Sequence, residues 1–304
     1  MPVRFLLLAC LGSCLAPRGA LAAEPEPAAA PEHAAKLLGC WQAEDPKFRI
    51  RFEPRRAGFD LDGEVQACGV SYEAGAFTTV SMGRARRFAY AFDGETLRLD
   101  LGDGARNWTR LARVPETLNF DPLPLGEAKA LPAERVKALQ EELLKRGAED
   151  QAVRTNPERR ADWSRVDAEN TAWLMKLVQE VGWIDAERFG PEVSNQAFLL
   201  VQHSMNPRLM QAALPEIEKD TKAGSIDAQS FALLHDRLSL MLGGKQRFGT
   251  QIGANEQGEA VVLPLEDRAK VEQLRKEIGL FPLKDYLAMF EKMGRGKVKF
   301  ADDE

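Results

Sequence analysis

Histidine and cysteine are scarce in this chain of 304 residues, which holds three of the first and four of the second. Cys10 and Cys14 fall within the first 22 residues, and no cysteine occurs from residue 114 to the end. Thiol catalysis in that C-terminal part is thereby excluded. No helical stretch carries two histidines four residues apart, the spacing of a helical zinc site, so no metal is expected. The chain also lacks a phosphate loop, a dinucleotide fingerprint and a G-x-S-x-G elbow, so no cofactor is expected. Gly243-Gly244-Lys245 has neither the preceding strand nor the spacing of a phosphate loop, and it reads as a helix stop. After the N-terminus no apolar run is long enough to span a bilayer. A basic excess is missing too: Lys and Arg number 41 against 46 Asp and Glu. Without a basic block, neither nucleic acid nor an anionic membrane surface is expected as a partner.

The N-terminus differs from the rest in composition. A short basic start ending at Arg4, an apolar run from Phe5 to Ala16 and the A-x-A pattern Ala20-Leu21-Ala22 together read as a signal peptide over residues 1–22. Export to the periplasm or the extracellular space is the expectation. The alternative is a lipobox, Leu11-Gly12-Ser13-Cys14, with anchoring through Cys14. Removal of residues 1–22 leaves 39 basic against 46 acidic residues, a net charge of −7. Cys40 and Cys68 then remain as an even pair in an oxidising compartment, and a disulfide between them is expected. Residues 23–36, rich in Ala, Pro and Glu and containing His33, read as a disordered lead.

Residues 37–113 alternate apolar and polar positions in short runs such as Lys47-FRIRFE, Glu64-VQACGVSY and Thr96-LRLDL. Turn pairs Asp62-Gly63, Asp93-Gly94 and Asp103-Gly104 separate them. The pattern predicts an antiparallel meander of six or seven strands closing into a small barrel or sandwich. Gly39-Cys40-Trp41, with Arg110 near the end, resembles the lipocalin-like signature of a G-x-W opening and a late arginine. That resemblance implies a barrel able to hold an apolar ligand, although about 75 residues favour a filled interior. Residues 114–131 carry three prolines and no period, and they read as a linker.

From residue 132 to 293 the period changes to that of helices, with one short hairpin near Asn255 and Gly258. The fold class is therefore α+β multidomain: a small β barrel or meander, then a mainly α-helical domain, with a charged tail at 294–304. The helix within 225–242 has an apolar arc of roughly 200°, wide enough for burial on most sides. Arg237 falls inside that arc, and a buried guanidinium needs partners.

Other helices break their apolar faces in the same way. The stripe Val136, Leu139, Leu143 runs on to Asp150 and Arg154, with Gln151 beside it. Asn170 lies in the apolar arc of the next helix, with Asp167 at its edge. Gln202 and His203 continue the apolar run Ala197 to Val201. Asp236 flanks Arg237, and Gln246, Thr250 and Gln251 lie just downstream. Four helices doing this together predict one shared cluster, because buried polar groups satisfy one another.

At these residues the chain resembles a bacterial family catalogued as domain of unknown function 6624. The matching motifs are Asp150-Gln151-x-x-Arg154, Asp167-x-x-Asn170, Gly182-Trp183, Gln202-His203, Asp236-Arg237 and Phe248-Gly249-Thr250-Gln251, within about 140–290. Phe248 stands where the family pattern has tyrosine, and Ile184 where it has proline. The resemblance implies a site and no activity.

Three functional classes stay open. In the first, the helical domain binds a small polar or anionic ligand through Asp150, Gln151, Arg154, Asp167, Asn170, Gln202, Gln246, Thr250 and Gln251. In the second, a hydrolase-type enzyme uses His203 as general acid or base, Asp236 or Asp167 as its orienting carboxylate, and Arg237 or Arg154 for negative charge. In the third, the cluster is a structural hydrogen-bond network.

Overall fold

A computed structural model of the chain describes residues 32–43, 48–61, 64–100, 108–115, 118–255, 258–292 and 297–300. The expected leader, lipobox and most of the Ala/Pro/Glu-rich lead lie outside the described residues, as do Asp62-Gly63 and Asp103-Gly104. Among the described residues no helix is long and apolar enough to cross a membrane.

The N-terminal part is a closed antiparallel barrel of eight strands. In order these are β1 (Gly39–Ala43), β2 (Phe48–Phe52), β3 (Arg56–Leu61), β4 (Glu64–Glu73), β5 (Ala76–Ser81), β6 (Arg84–Asp93), β7 (Thr96–Asp100) and β8 (Trp108–Val114). Pairing of β1 with β8, from Cys40 opposite Val114 to Ala43 opposite Leu111, closes the ring and leaves no open edge. The strand count exceeds the expected six or seven; β3 alternates Arg56, Gly58 and Asp60 with Ala57, Phe59 and Leu61, but glycine, alanine and aspartate are poor strand formers and leave a weak strand signal. Gly58 is there for space: a Cβ would lie 2.2 Å from the ring of Phe120. Trp41, Ile50, Phe52, Phe77, Leu97, Leu99 and Leu111 fill the interior, each at most 2% exposed. The barrel is therefore a packed core and not a cup.

The β8 arginine that meets Trp41 is Arg113, not Arg110. Arg113 stands directly opposite Trp41 in the β1–β8 register, and its guanidinium lies 4.3 Å from the centre of the Trp41 ring. Its two amino groups donate to the carbonyls of Lys36 and Leu38 at 2.6 and 2.7 Å. Residues 32–36, expected within the disordered lead, are held by this clamp. They include a 3-10 turn over Glu32–Ala34, with Ala34 fully buried. Arg110 has the opposite strand parity to the inward-facing Leu111 and meets Asp93 at 3.9 Å on the surface.

The expected Cys40–Cys68 disulfide is overturned, since both thiols are free and buried. Two strands separate β1 from β4 in the ring, and the side chains face opposite ways. Cys68 points into the core and bonds the Ala57 carbonyl, whereas Cys40 alternates with the inward Trp41 and Ala43. Burial pushes the Cys68 thiol up to about 12.

The rest is mainly helical: α1 (Ala133–Thr155), α2 (Trp163–Val181), α3 (Ala186–Phe189), α4 (Pro191–Ser204), α5 (Pro207–Lys222), α6 (Ala228–Met241), α7 (Val271–Glu277) and α8 (Leu283–Phe290). The hairpin β9 (Ile252–Ala254) and β10 (Ala260–Val262) is joined by β11 (Lys299–Phe300), which pairs parallel to β10. Part of the expected frayed tail is thus a strand. Leu143, Leu174, Val178, Val201, Leu209, Met210, Ile217 and Leu234 are fully buried at the centre of the helices. Residues 118–131 form a packed strap, with Phe120 fully buried and Gly126 N donating to the Val178 carbonyl. Barrel and helices touch closely where Gly69 of β4 meets Gly243 after α6, since a Cβ on Gly69 would lie 2.7 Å from the Gly243 Cα.

Candidate functional site

The cluster is built where α1, α2 and α4 pack. On α1 the buried positions run Leu139, Leu143, Gly147, Asp150 and Val153, so Asp150 faces the core as a continuation of an apolar stripe. Gly147 admits α4, because a Cβ there would lie 1.9 Å from Oε1 of Gln196. That approach sets His203 of α4 against Asp150. Nδ1 of His203 lies 2.9 and 3.1 Å from the two carboxylate oxygens of Asp150, which is 1% exposed. Gln151 Nε2 donates to Asp150 at 2.8 Å, and Arg154 Nη1 pairs with it at 2.7 Å. The other amino group of Arg154 bonds both oxygens of Asp167 on α2, at 2.7 and 2.9 Å. Trp163 also donates to Asp167, at 2.7 Å, and the Arg154 guanidinium lies 5.0 Å from its ring centre.

A carboxylate on Nδ1 fixes the neutral imidazole as the Nδ1–H tautomer, leaving the lone pair on Nε2. Nε2 makes no hydrogen bond among the described residues, and the His203 side chain keeps 22% of its surface. Arg154 is neutralised between two carboxylates. Arg237 is not. Its Nη1 donates to the Gln202 carbonyl at 2.7 Å and its Nε reaches Gln251 Oε1 at 3.4 Å, with no ion pair among the described residues. Burial holds its guanidinium below the ordinary arginine value; Tyr286 opposes this and Arg154 adds to it.

Asp236 belongs to a second network. Fully buried, it accepts from the backbone N–H of Arg247 at 2.8 Å, Phe248 at 3.1 Å and Thr250 at 3.0 Å, and from the Thr250 hydroxyl at 2.9 Å. Gln246 closes the same turn: its Nε2 donates to the carbonyls of Gln251 and Leu263, and its Oε1 accepts from Gln251 N. Phe248 packs edge-on against the rings of Phe231 and His235. The turn is then tied to the C-terminal helices. Arg275 donates to the Phe248 carbonyl at 2.5 Å, and the Tyr286 hydroxyl donates to Thr250 O at 2.9 Å.

The structure therefore brings together Asp150, Gln151, Arg154, Asp167 and His203, with Arg237 joined through the Gln202 backbone. It places Asp236, Gln246, Thr250 and Gln251 in the adjoining turn. The carboxylate that meets His203 is Asp150, neither Asp236 nor Asp167: Asp236 is turned into the 247–250 backbone, and Asp167 is taken by Arg154 and Trp163. Asn170 sits apart and accepts from Arg146 at 3.0 Å. The sequence reading missed Trp163 and Arg275. Arg275 is fully buried four residues after buried Val271, the same break in an apolar stripe that marks Arg237. Among the described residues no group of three or more His, Cys, Asp or Glu is arranged to hold a metal ion.

A family model described as Family of unknown function (DUF6624) matches residues 137–299, more than half of the chain. The chain belongs to this family. The DUF6624 span starts in α1, ends on β11 and takes in every residue of both networks, while the barrel lies outside it. Within the span, Ile184 is fully buried. No curated protein and no solved structure matches the chain.

Proposed function

We propose that the DUF6624 region binds a small anionic ligand between the Arg237 guanidinium and Nε2 of His203. The unneutralised charge of Arg237 carries this reading. Around His203 the other charges have partners: Arg154 has two carboxylates, and Asp236 has a ring of N–H and O–H donors. Arg275, beyond the clamped turn, is likewise without an ion pair among the described residues, but it is fully buried and donates to the carbonyls of Phe248 and Phe281. A half-buried guanidinium without a counterion is unfavourable by several kcal/mol in the general case, and a bound anion offsets that cost. Protonated His203 adds a second donor to the same anion. Export, read from the N-terminal leader, is part of the proposal, and the ligand is then one met outside the cytoplasm.

Isothermal titration of the full chain with inorganic phosphate and with acetate tests this. Binding of at least one anion is expected, with loss of that binding in Arg237→Gln and raised thermal stability of the parent at saturating anion. No heat with either anion, or equal binding by Arg237→Gln, would overturn it.

One observation favours a second reading, acid–base catalysis. Asp150 behind Nδ1 and a bare Nε2 form a carboxylate–imidazole pair able to take a proton from water or substrate. In that case His203→Gln retains binding but loses turnover.

A further inference from the structure

We propose that the ligand is an aryl anion, a planar apolar ring bearing one acidic group, with the ring seated on Trp163. This rests on the anion-binding reading above. Among the described residues only three large hydrophobic side chains are exposed: Trp163 at 41%, Met205 at 45% and Phe281 at 56%. Trp163 belongs to this site by contact, and Met205 stands near it only by its place in the chain. Trp163 leads by successive contacts through Arg154 and Asp150 to His203, and Met205 follows His203 by two residues.

Trp163 is exposed and yet fixed. Its Nε1 is held by Asp167 at 2.7 Å, and the Arg154 guanidinium sits over its ring at 5.0 Å. An indole pinned by two groups of the site, with open surface remaining, is a stacking platform that loses little freedom when a ring settles on it. Met205 is held in place by the backbone. It caps α4 in the left-handed region at φ 48, a conformation that costs a non-glycine residue about 1–2 kcal/mol. The thioether is an adaptable apolar surface that favours aromatic neighbours. A polar anion alone leaves both side chains without a role. An aryl anion uses the platform for its ring and Arg237 for its charge.

Isothermal titration of the full chain with phenyl phosphate and with inorganic phosphate decides the matter. Phenyl phosphate is expected to bind about tenfold more tightly, equivalent to about 1.4 kcal/mol. Trp163→Leu should bind inorganic phosphate as the parent does and lose the phenyl advantage. Trp163→Phe, which keeps a π-face while giving up the bond to Asp167, should retain most of it. Inorganic phosphate binding with no phenyl advantage in the parent would sink the platform and leave the anion site standing, as would an advantage that survives in Trp163→Leu. Binding of neither compound would remove both.

Discussion

Replacing Asp236 by alanine should unfold the DUF6624 region far more readily than an ordinary point mutation. The carboxylate is fully buried and is the acceptor of three backbone N–H groups and one hydroxyl from a single turn, at 2.8 to 3.1 Å. Each charge-assisted bond of this kind contributes about 1.5–3 kcal/mol net, and each buried donor left without a partner costs about 1–3 kcal/mol. The four bonds act as one unit and do not add, so the expected loss is about 3–5 kcal/mol. Asp236→Asn keeps one oxygen and turns an amide NH2 towards N–H donors, so a loss of about 2–3 kcal/mol is expected. Urea unfolding followed by far-UV circular dichroism, with an unchanged slope, measures both. A loss below about 1 kcal/mol for Asp236→Ala would refute the clamp and return Asp236 to the role of a functional acid. The same variant should weaken anion binding, because Gln251, which meets Arg237, is carried by the clamped turn.

Two further outcomes follow from single residues. Arg113→Ala should destabilise the barrel by about 1–2 kcal/mol, through its two carbonyl bonds and its stacking on Trp41, whereas Arg110→Ala should stay within about 0.5 kcal/mol in the same urea assay. Asp220 is 9% exposed, and burial raises its carboxyl above the usual range, against the lowering effect of its bond from Trp183. A raised folded value means that its contribution is favourable below the unfolded value and is lost as pH rises through the folded one. Asp220→Asn should therefore be more stable than the parent at pH 7, with the gap closing below about pH 4, as thermal melts across pH will show.

The helices and the gathering of polar residues were legible in the sequence because both are periodic. Asp150 continues the stripe of Leu139 and Leu143 at helical spacing, and Arg237 interrupts an otherwise apolar arc. Such breaks are visible without a structure. Which break meets which was not legible, since it depends on the packing of α1 against α4, and that packing turns on the close approach of Gly147 to Gln196. The role of Asp236 was hidden for a related reason: most of its partners are backbone N–H groups, of Arg247, Phe248 and Thr250, which carry no side-chain signature. Arg113 was within reach. Strand parity from Leu111 points it inward and Arg110 outward, but the pairing of Arg113 with Trp41 needed the closing register of β1 and β8. The disulfide failed on the same parity, because Cys40 and Cys68 face opposite sides of a wall whose strand order the sequence did not show.

The central claim is that an anion sits between Arg237 and Nε2 of His203, and nitrogen-resolved NMR of the imidazole rings tests it most directly. The three histidines are few enough to assign by substituting each in turn. Without added anion, the His203 ring should carry a proton on Nδ1, as its bond to Asp150 requires. Titration with inorganic phosphate should then shift the Nε2 resonance of His203 and leave its Nδ1 proton in place, with no shift in Arg237→Gln. A bare Nδ1 at the outset, or a His203 ring unmoved while phosphate binds elsewhere, would contradict the account.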